Sequence, residues 1–267
     1  MLSRIRWPLL LAAGALLLFA TPSTQAEPAY AGSDLCLECH EDYQATLTGT
    51  GHGSSFYADL SGRAHPSAVA EGAACETCHG PGEAHVDDPE ANSMRVTDLT
   101  TDEQSEMCQS CHSGSSQFFW GGGEHEAQGL SCLSCHSVHS PASPDGQLQQ
   151  ASQSEQCFSC HKDIRAQSWK TSHHPVREGQ MSCGDCHNPH GSPTEGMLRE
   201  ASVNEQCYSC HAEKRGPFLW EHAPVREDCL TCHNAHGSNH TKLKVAEVPY
   251  LCQSCHANTR HPGTLYD

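Results

Sequence analysis

The chain has 267 residues and a net charge of −17, from 15 basic and 32 acidic side chains. That balance excludes nucleic acid and anionic lipid surfaces as partners, since both repel an acidic protein. Only 36% of residues are hydrophobic and 6% aromatic, which is thin for a chain of this length to pack a core from side chains alone.

Residues 1 to 26 read as a secretory signal. Arg4 and Arg6 precede an uncharged apolar run from Pro8 to Ala20, and Thr24-Gln25-Ala26 is a small-residue cleavage site. The run is shorter than the roughly 20 apolar residues that cross a bilayer, and no later segment is apolar enough to do so. The mature chain is expected in the periplasm, with 13 basic residues against 32 acidic ones. Association with the outer membrane would need another protein to line the path.

From residue 36 onward the pattern Cys-x-x-Cys-His occurs nine times and uses all 18 cysteines. The motifs are Cys36/Cys39/His40, Cys75/Cys78/His79, Cys108/Cys111/His112, Cys132/Cys135/His136, Cys157/Cys160/His161, Cys183/Cys186/His187, Cys207/Cys210/His211, Cys229/Cys232/His233 and Cys252/Cys255/His256. This is the spacing of c-type haem attachment. Two thiols form thioethers to one porphyrin edge, and the histidine that follows lies beneath the iron as its proximal ligand. Four-cysteine zinc sites would have the pairs converge in twos, leaving one unmatched, and would not need a histidine after each. A disulfide scaffold would show varied spacings. The sequence therefore predicts nine covalently attached haem c groups. Their apolar faces would form most of the interior, leaving the apoprotein largely unfolded.

The motifs alternate between two kinds, here called leading and trailing. Leading motifs follow Ser-Glu-Met or a residue with Glu-Gln, as at Ser105-Glu106-Met107-Cys108, Ser154-Glu155-Gln156-Cys157 and Asn204-Glu205-Gln206-Cys207. They recur at separations of 49, 50 and 45 residues through Cys108, Cys157, Cys207 and Cys252. Trailing motifs are followed closely by another histidine, as in Cys183 through Asn188-Pro189-His190-Gly191 and Cys229 through Asn234-Ala235-His236-Gly237. A fixed period of this size marks a quasi-linear array. Haem pairs are expected at about 31–95, 96–145, 146–195 and 196–240, with a last single haem at 241–267. Alternation then calls for a tenth motif beyond Asp267. The expected fold is mostly coil with short helices, for example over Thr101 to His112 and Ala201 to Arg215, with an elongated haem array and no significant sheet. The loop Pro141 to Gln150 is the candidate seam between the second and third pairs.

Twelve histidines lie outside the motifs, enough for nine distal positions, whereas only four methionines follow the signal. Bis-histidine ligation, which sets lower potentials than His/Met, is therefore expected. After leading motifs a histidine follows at 11 to 13 residues: His52, His125, His173 and His222. After trailing motifs one follows within six: His85, His139, His190 and His236. A histidine three residues beyond its motif cannot easily reach over the same haem, so these are expected to serve a neighbour's iron. His261 is the candidate for the ninth haem, His52 or His65 for the first, and His174 and His240 are left over. His173 is preferred to His174 because Pro175-Val176-Arg177-Glu178 aligns with Pro224-Val225-Arg226-Glu227.

Several segments resemble the periplasmic decahaem cytochromes of the MtrA/DmsE family. They are Cys75-Glu76-Thr77-Cys78-His79-Gly80-Pro81-Gly82 with His85, Ser172-His173-His174-Pro175-Val176, Glu213 through Trp220-Glu221-His222, and Leu251 to His256. The resemblance implies a haem wire seated in an outer-membrane β-barrel, passing electrons between the periplasm and an extracellular cytochrome or terminal oxidoreductase in extracellular respiration. It implies no catalytic residues. A free periplasmic shuttle, a multihaem reductase and a filament subunit are the competing functions. A reductase needs an open iron, which nothing in nine complete motifs marks.

Overall fold

A computed structural model describes residues 29–53 and 73–257. The signal segment 1–26, His65 and His261 lie outside the described residues.

Local structure follows from the motifs. In all nine, the histidine N–H donates to the carbonyl of the first cysteine at 2.9–3.0 Å, closing one helical turn. Residues three and four apart share a helix face, so both thiols and the imidazole point to one side. Leading motifs sit in short α-helices: Ser33–Cys39, Thr101–Gln109, Gln153–Phe158, Val203–Tyr208 and Tyr250–Gln253. Three of these start at a hydroxyl cap with glutamate three residues on. Thr100, Ser152 and Ser202 accept from the N–H of Glu103, Glu155 and Glu205 at 3.2–3.3 Å, and Thr100 N–H returns a 2.8 Å bond to Glu103. The helices are shorter than the sequence suggests: the second ends at Gln109, and the fourth breaks after Tyr208 before a 3₁₀ turn at Ala212–Lys214.

The second trailing motif and its successors form 3₁₀ turns at Cys132–Ser134, Cys183–Asp185 and Cys229–Thr231. Each is clasped by the tight turn that follows, Asp145–Gln147, Glu195–Met197 and Thr241–Leu243. Ser137, Asn188 and Asn234 donate to the carbonyls of Gln147, Met197 and Leu243, while Gln149, Arg199 and Val245 donate back to Cys135, Cys186 and Cys232. The clasp requires left-handed backbone, met by Gly146 (φ 64°) and Gly196 (φ 66°) but by Lys242 (φ 58°) in the last copy. Pro141 to Gln150 is therefore no seam: its backbone is bonded into the second trailing motif. Four isolated bridges are the only extended pairing among the described residues, and none builds a sheet.

Side chains make almost no apolar interior. Among the described residues only Ala73, Trp120 and Phe158 are buried hydrophobics, while Phe118, Trp169, Leu219, Trp220 and Tyr250 are exposed. Ordering each residue costs about 1–2 kcal/mol, and a fully buried large side chain returns only about 1.5–3 kcal/mol. Three such residues cannot hold the fold. Polar contacts are more numerous. The Glu76 carboxylate, 2% exposed, accepts from Ala31, Gly32 and Gly82 N–H at 2.7–3.0 Å, fastening the first motif to the second.

Candidate functional site: facing imidazoles along the motif array

The cysteines show how the motifs succeed one another. All eighteen are free of disulfides. Within each pair the first cysteine of the leading motif lies against the first cysteine of the trailing one. Cys108 and Cys132 share a hydrogen bond that pushes the Cys108 thiol up and draws Cys132 down to about 6. Cys157 and Cys183 do the same, with Cys183 drawn down to about 7. Burial, then the neighbouring Cys75, lifts Cys36 to about 11, and burial, then Cys229, lifts Cys207 to about 11. Second cysteines adjoin across pairs. Burial raises Cys78, Cys135 and Cys186, reinforced by Cys111, Cys160 and Cys210 respectively. From the first motif to the eighth, spatial order thus follows chain order.

The ninth motif departs from this packing. Its turn closes like the others, with Cys255 N–H donating to Cys252 O at 3.3 Å and Ser254 Oγ lying 3.8 Å from Cys255 Sγ. Ser110, Ser159 and Ser209 stand in the same place beside Cys111, Cys160 and Cys210, at 3.7–3.8 Å. Yet Cys252 and Cys255 are both exposed, whereas the first cysteines of the other leading motifs are half-buried. Cys255 is exposed like Cys39, Cys111, Cys160 and Cys210, the second cysteines of the covered leading motifs; what sets the ninth motif apart is the exposure of Cys252. In every earlier pair the trailing motif shields the leading one, and among the described residues no trailing motif follows Cys255.

Eight of the nine motif histidines face a second imidazole. The ring-centre distances are His40–His85 6.3 Å, His79–His139 6.1 Å, His112–His52 5.8 Å, His136–His190 6.0 Å, His161–His125 6.2 Å, His187–His236 6.0 Å, His211–His174 6.3 Å and His256–His222 5.9 Å. Imidazole nitrogen binds such metals at about 2.0–2.1 Å and lies about 1.1 Å from its ring centre, so two imidazoles on one iron have centres about 6.2 Å apart. The observed spacings fit that group and are too wide for direct ring stacking.

Seven of the candidate ligand rings are also fixed through Nδ1, whereas Nδ1 of His139 and His190 is buried without a partner among the described residues. Nδ1 of His79, His85, His125, His136, His174, His187 and His233 donates to the carbonyls of Met94, Asn92, Pro189, Gly146, Ala235, Gly196 and Lys242 at 2.5–3.0 Å. A donating Nδ1 leaves the Nε2 lone pair for a metal. His52 Nδ1 lies 2.6 Å from Gln147 Oε1. Burial lowers the pKa of His139, His190 and His236, an effect reinforced by the imidazoles they face, which favours the neutral, ligating form. A continuous cavity of about 2790 Å³ runs past the first five motifs and touches Cys36, Cys75, Cys108, Cys132 and Cys157. Small-molecule sites ordinarily measure roughly 300–1000 Å³, so this one suits several large groups in contact.

The partners differ from those expected along the sequence. His52, His125 and His222 do not face the motif 11 to 13 residues before them; each faces the leading motif of the next pair. His139, His190 and His236 face the trailing motif of the preceding pair, the sharing that their short spacing required. His85 faces His40 rather than His79. His52 therefore does not stand opposite the first motif, and His65 lies outside the described residues. His173 is replaced by His174: Nδ1 of His173 donates to Lys170 O at 2.7 Å, and its Nε2 lies 3.1 Å from Glu178 and 3.3 Å from Arg177. With both nitrogens engaged it offers no lone pair, while it and Arg177 hold the Glu178 carboxyl down at about 2. The ninth motif faces His222; His261 lies outside the described residues. Among the described residues no imidazole faces His233.

The docking of one repeat on the next explains the shift. Gly191 (φ 107°) and Gly237 (φ 143°) lie so near the carbonyls of Phe119 and Gln167 that a Cβ would collide with them. Each glycine follows a trailing-motif ligand candidate, and each contact lies in the preceding pair. The same docking lets His125 and His174 reach Pro189 O and Ala235 O.

Paired thiols and opposed imidazoles, repeated along short helices without a sheet, define a multihaem c-type cytochrome. Residues 125–166, 173–216 and 222–261 match the doubled CXXCH motif family, and residues 58–137 match cytochrome c7 and related cytochrome c. The multiheme cytochrome MtrA of Shewanella baltica (strain OS185) is 41% identical over 239 residues, covering 88% of this chain and 69% of the relative. The chain belongs to the MtrA family of multihaem cytochromes; it binds haem c covalently and transfers electrons.

Proposed function

We propose that this chain carries nine haem c groups, at least eight of them bis-histidine ligated and seven of these across neighbouring repeats, and acts as a periplasmic electron conduit. The observation that carries the reading is the set of eight imidazole pairs with centres 5.8–6.3 Å apart. Haem, when bound, supplies a one-electron iron couple. The residues supply the rest. Backbone carbonyls fix the Nδ1 protons, burial keeps His139, His190 and His236 neutral, and the closed motif turns aim thiols and imidazole to one side. With haem bound, each opposed pair would hold its iron between two imidazoles, which suits electron relay rather than binding of a substrate there.

The conduit reading extends to an outer-membrane β-barrel partner and to extracellular respiration. Its support is the kinship to MtrA, the signal-like residues 1–26, and the lack among the described residues of a helix long and apolar enough to cross a membrane. Intact mass of protein from a host that matures c-type cytochromes should show nine haems. Affinity purification from native membranes should bring down a barrel protein. Purification free of any outer-membrane protein would instead favour the periplasmic shuttle.

A further inference from the structure

In all four pairs, one polar side chain from the turn before the leading motif bonds to the start of the trailing motif. In the first pair Ser33 Oγ accepts from Cys75 N–H at 3.2 Å. In the second, Gln104 Oε1 accepts from Ser131 Oγ, next to Cys132, at 2.6 Å. In the third, Gln153 Oε1 accepts from Gly184 N–H, next to Cys183, at 2.9 Å. In the fourth, Asn204 Oδ1 accepts from Cys229 N–H at 2.8 Å. Three residue types at offsets of three or four from the leading cysteine reach the same spot.

That spot matters because it adjoins the two cysteines that meet within the pair. The trailing motif is only one turn, and its first N–H groups have no partner inside that turn. A bond there fixes the trailing turn, and the cysteine it carries, against the leading helix. Gly184 shows how closely the third joint fits: a Cβ on it would lie 2.5–3.0 Å from the Gln153 amide. Asn204 is doubly held, its Nδ2 donating to Val225 O and Arg226 O at 3.2 and 3.0 Å.

We propose that Ser33, Gln104, Gln153 and Asn204 are positioning residues that set how the two haems of each pair are seated against each other, and so the rate of electron transfer between them. The proposal rests on the haem-array reading above. Electron transfer weakens steeply with edge-to-edge distance, so a small slip of one attachment turn reaches the rate without touching an iron ligand.

The test uses the full-length holoprotein with Gln153→Ala, Gly184→Ala, the double variant and Gln153→Glu. Haem number comes from intact mass, and the spread of a photoinjected electron comes from transient absorption. If the parent protein carries no haem, the array reading fails, independently of the joint. Given full haem content, each single variant should slow transfer several-fold. The double should be no slower than the slower single, since both break one bond. Gln153→Glu keeps the acceptor and should restore the parental rate. Parental rates in both singles, additive losses in the double, or a Gln153→Glu as slow as Gln153→Ala would overturn the proposal. Should Gln153→Ala shed a haem, Ser33→Ala poses the same question in the first pair: slower transfer with all haems retained upholds the proposal, and unchanged transfer sinks it.

Discussion

Two kinds of joint hold this array together, and they differ in what they risk. Between pairs, the joint is an imidazole: His125 of the second pair faces His161 of the third, and His190 of the third faces His136 of the second. Within a pair, it is a hydrogen bond accepted by one side chain, as from Cys229 N–H to Asn204 Oδ1. Loss of an imidazole removes half the axial field of an iron in another repeat. Loss of the hydrogen bond leaves every ligand in place. The first joint decides whether neighbouring repeats share their haems at all, and the second only how well a pair is seated.

The largest effect should separate two adjacent histidines at the joint between the third and fourth pairs. His174→Ala should convert one low-spin haem, that of the seventh motif, to high spin. His173→Ala should leave the low-spin count unchanged and only loosen Glu178 and Arg177. Ferric absorption and electron paramagnetic resonance spectra read both, and a reversed result would restore the alignment-based choice of His173.

The first pair breaks differently, through Glu76. Glu76→Ala strands three backbone N–H groups, each worth about 1–3 kcal/mol if left buried and unpaired. Expected consequences are a lower melting temperature and faster proteolysis before residue 83, with Glu76→Gln intermediate. Equal stability of all three proteins would show that this pair is held by its haems alone.

Gly191→Ala attacks docking between pairs without removing a ligand. The new methyl group would meet the Phe119 carbonyl from a backbone with φ 107°, at a cost of about 1–3 kcal/mol. The low-spin signal of the fourth motif, which His190 faces, should broaden or weaken first. The smallest effect concerns the last clasp. Lys242→Gly relieves left-handed strain of about 1–2 kcal/mol but adds unfolded-state freedom of about 0.5–1 kcal/mol, so denaturant unfolding should shift by under about 1 kcal/mol.

Much of this was legible in the sequence, and the part that was not has a definite cause. The attachment chemistry is local: Cys-x-x-Cys-His needs one helical turn, and the sequence states it nine times. The alternation of motifs pointed to pairing, and Cys157 lies against Cys183 within one such pair. The exposure of Cys252 follows from the same alternation, since the ninth motif is of the leading kind and lacks its cover among the described residues. The facing imidazoles are not local. A histidine 11 to 13 residues past its motif is carried onto the next repeat by docking that depends on Gly191 against Phe119 and Gly237 against Gln167, contacts far apart in sequence. Spacing could not choose between His173 and His174, twelve and thirteen residues after His161, because His52, His222 and His125 take the same role at twelve, eleven and thirteen.

Ring orientation adds a spectroscopic consequence that no sequence pattern carries. The planes cross at 72° and 66° for the third and fifth motifs, but at 18–32° for the first, second, fourth and sixth. Crossed and near-parallel imidazoles split the iron orbitals differently, so the ferric spectrum should contain both a highly anisotropic and an ordinary rhombic low-spin signal.

Shared axial ligation between repeats is most directly tested by near-infrared magnetic circular dichroism of the full-length ferric protein, with haem number fixed by intact mass. At least eight haems per chain should give the bis-imidazole charge-transfer band. A majority of high-spin or His/Met haems would contradict the account.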